Sequence, residues 1–328
     1  MTTKENNRPP SSPQNLQPIY LMQPDNHSYD DEIDLRELWV AVWQGKMTII
    51  AITCIFAVAS VIFAIMQPNL YKSEALLAPA AESQGQGLSA LAGQFGSLAS
   101  LAGINLKNGS SDQTAIALEI LKSRTFIKEF IQKHEILPTL MATKGWNQKN
   151  DQLIFDNKIY NSQTKTWLRE VTPPKQAKPS DFEAYNAFSK ILHVSQDKTS
   201  GLVTIGILFY SPSTAKQWVD WLIEDLNSYM RRQDYNEATL TLAYLNEQLK
   251  STAIAGMQNI FYQLIEEQTK TIMLSKVRQD YILKTIDQAI SPEEKAKPKR
   301  ALICVLGTLL GGMLSITIVL TRHFCRKH

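Results

Sequence analysis

The sequence predicts an α+β protein held in a membrane by two helices, with the block between them forming an α/β base and an extended helical hairpin. Three observations predict this. Two long runs lack any charged side chain, short β-branched or alternating runs lie in the block between them, and one helical pattern is too long to stay straight.

Residues 1–30 are rich in Pro, Asn, Gln and Ser with few apolar anchors, so they read as a disordered tail. In 31–46, DEIDLRELWVAVWQGK, Ile33, Leu35, Leu38, Val42 and Trp43 recur at roughly helical spacing. The pair Trp39 and Trp43 suits the headgroup layer, and a short amphipathic helix leading into the membrane is the economical reading. Residues 47–66, MTIIAITCIFAVASVIFAIM, follow Lys46 and end at Gln67-Pro68, where proline stops a helix. A signal peptide would carry its short charged region at the N-terminus, so this run reads as an uncleaved anchor. The second run, 301–321, lies between Lys299-Arg300 and Arg322, and at about 1.5 Å per residue it spans roughly 30 Å of hydrocarbon. A buried core helix would be shorter and amphipathic.

Averages conceal these spans: the chain has 328 residues, a net charge of +3 and 44% hydrophobic residues, values compatible with a soluble protein. The block 67–300 between them is long enough for one large domain or two small ones. Cys54 and Cys304 lie in the spans and Cys325 in the terminal peptide 322–328, so that block holds no disulfide. A charge so near zero, with no basic stripe interleaved with aromatics, gives no case for nucleic acid. Two spans put both termini on one side. Arg36 and Lys46 favour a cytoplasmic N-terminus, but Lys295, Lys297, Lys299 and Arg300 pull the other way at the second span, and charge alone leaves the side open.

Within the block, YKSEALLAPA reads as a strand, and the small-residue, leucine-bearing stretch SQGQGLSALAGQFGSLASLAGINLKNGSSDQ reads as a mobile loop, with a specific binding segment as the alternative. SDQTAIALEILKSRTFIKEFIQKHEIL predicts a helix capped at Ser111 or Asp112, with Ile116, Ile120, Ile127, Phe130 and Ile131 recurring at helical spacing. TPPKQAKPSDFEAYNAFSKIL passes from a proline-rich linker into a short helix, and LVTIGILFY reads as a buried strand ended by Pro212.

From Ser213 a helical pattern places Trp218, Leu222, Leu226 and Tyr229 on one face. Further on, Leu242, Leu245, Leu249, Ala253 and Ile260 form a short, imperfect coiled-coil-like seam. The pattern persists through QNIFYQLIEEQTKTIMLSKVRQDY, after which YILKTIDQAI alternates like a strand. A straight helix from Ser213 to Tyr281 would end about 100 Å from its start, yet the second span follows closely. The helix must fold back, and Lys250-Ser251-Thr252-Ala253 offers a polar break, so a hairpin over 213–281 rises about 50 Å from a base near the membrane.

Catalytic signatures are missing. Gly45-Lys46 has no partner glycine for a phosphate loop, His134 and His193 are isolated with no metal spacing, and no G-x-S-x-G occurs. Glu266 and Glu267 are helix neighbours that point apart, and Asn108-Gly109-Ser110 is a sequon of the kind common by chance. The expectation is a protein that is no enzyme, with no cofactor and no metal. Gly307 and Gly311, four apart in the second span with Gly312 beside them, have the spacing that lets membrane helices approach closely. Pro298, Lys299 and Arg300 stand at that span's edge.

Taken in order, DEIDLRELWVAVWQGKMTII, SDQTAIALEILKSRTFI, FYQLIEEQTKTIML, YILKTIDQAISPEEKAKPKRALI and the glycine-bearing second span resemble the Wzz chain-length determinants, polysaccharide co-polymerases of the bacterial inner membrane. The likeness covers most of 31–321. It implies cytoplasmic termini, a periplasmic domain, and a homo-oligomeric, octamer-like ring that sets the modal length of O-antigen lipopolysaccharide or a related glycan made by the polymerase Wzy. The growing polysaccharide chain and Wzy are then its partners. The hairpin is shorter than in the best-known enterobacterial members, and Gln288 stands where the family pattern has proline. Two other classes compete. A two-span sensor would need a cytoplasmic output module, and few residues follow the second span. An exopolysaccharide co-polymerase with a fused kinase would need a phosphate-binding loop and a tyrosine-rich tail, leaving one that works with a separate kinase as the alternative.

Overall fold

A computed structural model describes residues 35–80, 109–251 and 255–327. The predicted tail 1–30, most of the small-residue stretch after residue 80 and the predicted apex residues Thr252 and Ala253 lie outside the described residues. Two compact units divide the chain: Cys54–Gly311, and the end segments on either side of it.

Helix α1 (Leu35–Gln44) carries Trp39 and Trp43, which stack with ring centroids 6.4 Å apart. Helix α2 runs over Lys46–Met66 and α9, the last helix, over Arg300–Lys327. Both are long and apolar enough to cross a membrane. The second helix therefore extends beyond 321 into the basic end peptide.

The base is built on a four-stranded antiparallel sheet in the order β6-β7-β1-β8, from β1 (Tyr71–Pro79), β6 (Leu192–Gln196), β7 (Val203–Phe209) and β8 (Leu283–Asp287). The register Tyr71↔Phe209, Ser73↔Ile207, Ala75↔Ile205 and Leu77↔Val203 puts these residues on one face, and all of them are buried. Lys72 and Glu74 alternate onto the other face, as a two-residue period requires. At Gly206 an added Cβ would stand 2.8 Å from Glu74 Cγ and 3.1 Å from Ser73 O, so glycine fits where the cross-strand partner crowds in.

Helices cover the buried face. α3 (Gly109–Lys122) and α4 (Arg124–Lys133) take the place of the single predicted helix. The break falls at Ser123, whose Oγ accepts a hydrogen bond from Phe126 N and so caps α4, because a serine at that point satisfies an orphan donor. The predicted cap at Ser111 or Asp112 is thus corrected: α3 already begins at Gly109. α5 (Leu137–Ala142) follows, then two small hairpins that no alternation in the sequence marks, β2 (Thr143–Asn147) with β3 (Gln152–Phe155) and β4 (Tyr160–Asn161) with β5 (Thr166–Trp167). α6 (Asp181–Ile191) starts with a capping box between Ser180 and Glu183.

Helix α7 (Pro212–Ser251) opens on Pro212 as its first residue, the position where proline's missing N–H costs nothing; the preceding strand has already ended at Phe209. Its first half supplies the core: Trp218, Leu222 and Leu226 are fully buried beside Phe130, Phe188 and Leu121. α8 (Ala255–Val277) returns. It stops at Val277, short of the expected Tyr281, because Tyr281 and Ile282 turn inward to join the core ahead of β8.

Candidate functional site

The junction between the spans and the base is held by backbone pairing. Leu70 N donates to Lys297 O at 2.9 Å, and Ala296 N donates to Leu70 O at 2.8 Å, so the chain leaving α2 and the chain entering α9 are hydrogen-bonded side by side. Arg300 Nε donates to Ala64 O at 3.1 Å and its Nη2 to Asn69 Oδ1 at 3.1 Å. A cation thus meets an orphan carbonyl in the last turn of α2, where the helix dipole is negative. Pro298 is buried beside it, and Lys299 is exposed.

Beyond Arg300, α9 runs antiparallel to α2. An added Cβ at Gly307 would overlap the Ser60 side chain, and one at Gly311 would lie 2.5 Å from Phe56 Cβ. These two glycines let the helix axes approach. Gly312 points elsewhere, with nothing within 4 Å, so of the three expected packing glycines it is the one outside the contact. In the unit formed by the end segments, an added Cβ at Gly45 would meet Val319.

The arm is the other distinctive element. At about 1.5 Å per residue the 40-residue α7 is roughly 60 Å long, and only its first half lies in the base. Asn227 marks the boundary. Buried on α7, it donates through Nδ2 to Leu283 O at 3.0 Å and accepts through Oδ1 from Ile282 N at 2.9 Å and Leu283 N at 3.1 Å. It is the clamp that steers the returning chain into β8. Nearby, Tyr281 Oη donates to Asp234 Oδ2 at 2.8 Å, and Arg231 Nη1 donates to Arg278 O at 3.2 Å. Burial pushes the Asp234 carboxyl and the Tyr281 phenol up from their ordinary values, and their mutual hydrogen bond raises the phenol further while opposing the rise at Asp234.

Outward from this clamp the buried seam is thin: Ala238, Leu245, Thr271 and Ser275. Leu242 and Leu249 are half-buried, while Leu240, Tyr244, Tyr262 and Met273 are exposed. The helices pair on Leu245 and three small residues and leave other large apolar side chains facing solvent.

Two histidines expected to stand alone part company here. His134 Nε2 lies 2.8 Å from Asp225 Oδ2, its ring stacks on Trp221 at 4.1 Å, and Lys133 Nζ donates to Asp225 Oδ1 at 2.5 Å. This joins the end of α4 to α7 and corrects the reading of His134 as isolated; the partner lies some ninety positions away, beyond any local motif. His193 is lowered by burial, then by Lys72 and Lys297. Glu267 is raised by burial on α8, and Glu266 beside it is exposed. Among the described residues no group of three or more His, Cys, Asp or Glu is arranged to hold a metal.

Residues 31–134 match the family model of Wzz, "Chain length determinant protein", and residues 248–324 match GNVR, "G-rich domain on putative tyrosine kinase". The chain is similar to a full-length bacterial polysaccharide co-polymerase at 15% identity, over 90% of this chain and 99% of that one, with a TM-score of 0.37. It is also similar to a fragment of WzzB, a polysaccharide co-polymerase from Salmonella Typhimurium, at 13% identity, over 70% of this chain and 100% of that one, with a TM-score of 0.26. No curated protein matches the sequence.

Proposed function

We propose that this chain, which belongs to the Wzz chain length determinant family, regulates the modal length of O-antigen lipopolysaccharide or a related surface glycan in the Wzy-dependent pathway. It does so as a homo-oligomer in the bacterial inner membrane, with cytoplasmic termini and a periplasmic central domain. It acts without catalysing. The observation that carries this reading is an arm whose two roots are clamped together by Asn227 and whose base is tied by Leu70 and Lys297 to a pair of apolar helices. Such a part transmits position rather than performing bond chemistry. Large apolar side chains exposed along the arm, Leu240, Tyr244, Tyr262 and Met273, support lateral packing against a second copy.

A second reading is favoured by the match of 248–324 to the G-rich domain on putative tyrosine kinase. On that reading the polymer is an exopolysaccharide and a separate kinase is the partner. One experiment addresses both. Deleting the gene and displaying surface polysaccharides on a gel is expected to abolish the modal cluster of lipopolysaccharide lengths, which returns on complementation. An unchanged lipopolysaccharide ladder with an altered exopolysaccharide size distribution would favour the second reading. No change in either polymer would overturn both.

A further inference from the structure

A cavity of about 510 Å³ lies in the base, away from the arm and the membrane helices, and within the ~300–1,000 Å³ range of small-molecule sites. Three independently fixed walls form it. The β4–β5 hairpin supplies Tyr160 and Trp167, which are cross-strand partners with ring centroids 4.9 Å apart. Its turn is set by Asn161 Oδ1, which accepts from Gln163 N at 2.9 Å and Thr164 N at 3.2 Å, and by Lys165 in the left-handed region at φ 53°. The last turn of α4 and the residues after it supply Gln132 and Glu135. The third wall, carrying Lys178, belongs to a loop fastened by Arg169: its Nη2 donates to Gln176 O at 2.8 Å, its Nε to Ala177 O at 3.2 Å, and both Nη atoms to the Glu183 carboxylate. An ion pair at 2.8 Å between Lys128 and Asp181 stands within the lining.

We infer that this cavity binds one or two residues of an acidic oligosaccharide. The chemistry of the lining selects that class. Trp167, half-exposed and backed by the buried Tyr160 ring, offers flat apolar surface for the C–H face of a sugar ring, as concave sites for amphiphilic ligands require. The Gln132 amide can donate to and accept from hydroxyls around the ring edge, and the Glu135 carboxylate can accept from them. Among the described residues neither Lys165 nor Lys178 has an ion-pair partner, so two cations against one unpaired acid, Glu135, favour a ligand with a carboxylate. Because the walls are held by their own hydrogen bonds, binding orders little further. The inference names the class of glycan that the proposed co-polymerase would touch, and it rests on that reading for its biological sense.

The test uses the purified full chain in detergent micelles, titrated with oligogalacturonate by calorimetry. Maltohexaose is the neutral sugar control, and a polyglutamate peptide of equal charge is the anionic control. Oligogalacturonate is expected to bind about tenfold more tightly than either control. Trp167→Ala should weaken it about tenfold, and the double variant Lys165→Gln/Lys178→Gln about fivefold, with retained circular dichroism. The lysines are exposed, so their replacement does not threaten the fold. Equal binding of polyglutamate, equal binding of maltohexaose, or undiminished binding by the lysine variant would overturn the inference. None of these outcomes bears on the polysaccharide ladder of a deletion strain, so failure of the cavity and failure of the co-polymerase reading remain distinguishable.

Discussion

Arg169 grips both oxygens of Glu183, at 2.8 and 2.9 Å, while Ser180 N donates to the same carboxylate at 3.1 Å. Together they lower its pKa from 4.5 to about 2. The unfolded chain takes up a proton on this group near pH 4.5, whereas the folded chain resists until about pH 2. The pair therefore contributes stability above about pH 4.5 and loses it as pH falls toward 2. Between pH 6 and pH 3 the urea midpoint of the parent should fall further than that of Glu183→Gln; parallel losses would mean the pair is energetically idle. Asn227 makes a stronger demand. Asn227→Ala leaves two buried N–H groups and a carbonyl without their partner, at about 1–3 kcal/mol of stability, readable as a lowered urea midpoint. An unshifted midpoint would show that water satisfies those groups instead.

At the scale of elements, the spans and the arm were legible because each is a long run with a single periodicity. LVTIGILFY was legible as a strand because both of its faces are buried: Leu208 is covered on the side away from the Val203–Phe209 stripe. The hairpins β2–β3 and β4–β5 were not legible, since TKGWN and the two-residue strands YN and TW are too short and polar to carry an alternation. The break at Ser123 was hidden because Ile116 and Ile120 keep the helical spacing of Ile127 and Ile131, yet Ile116 is exposed and α3 turns Ala117, Leu118 and Leu121 inward instead, while α4 buries Phe126, Ile127, Phe130 and Ile131. The glycine spacing in α9 pointed to a close approach, but its partners, Ser60 and Phe56 of this same chain, required the fold. Replacing Gly307 and Gly311 by leucine should therefore separate α2 from α9 and shift the polymer length distribution while the protein still inserts. An unchanged oligomer and an unchanged ladder would mean these glycines pack nothing of consequence.

For the whole molecule, two apolar helices bracket the sheet, the helical base and the arm. The topology proposed above predicts that a cytoplasm-dependent reporter fused at residue 20 is active and one fused at residue 150 silent; activity at 150 would overturn it. The central claim is that the arm's packing, and no side chain's chemistry, sets polymer length. Leu245 is buried in the thin seam between α7 and α8, and an unpaired carboxylate there costs several kcal/mol, enough to loosen a seam with few other buried residues. Glu266 is exposed on α8 and His193 lies on β6, so neither holds the arm together. The most direct measurement is the surface polysaccharide ladder from a deletion strain complemented, at matched protein level, with Leu245→Asp, Glu266→Ala or His193→Ala. A broadened or shifted ladder is expected for Leu245→Asp and the parental ladder for the other two. Loss of all polymer beyond a single repeat in the Glu266 or His193 variant, with assembly intact, would contradict it and point to catalysis.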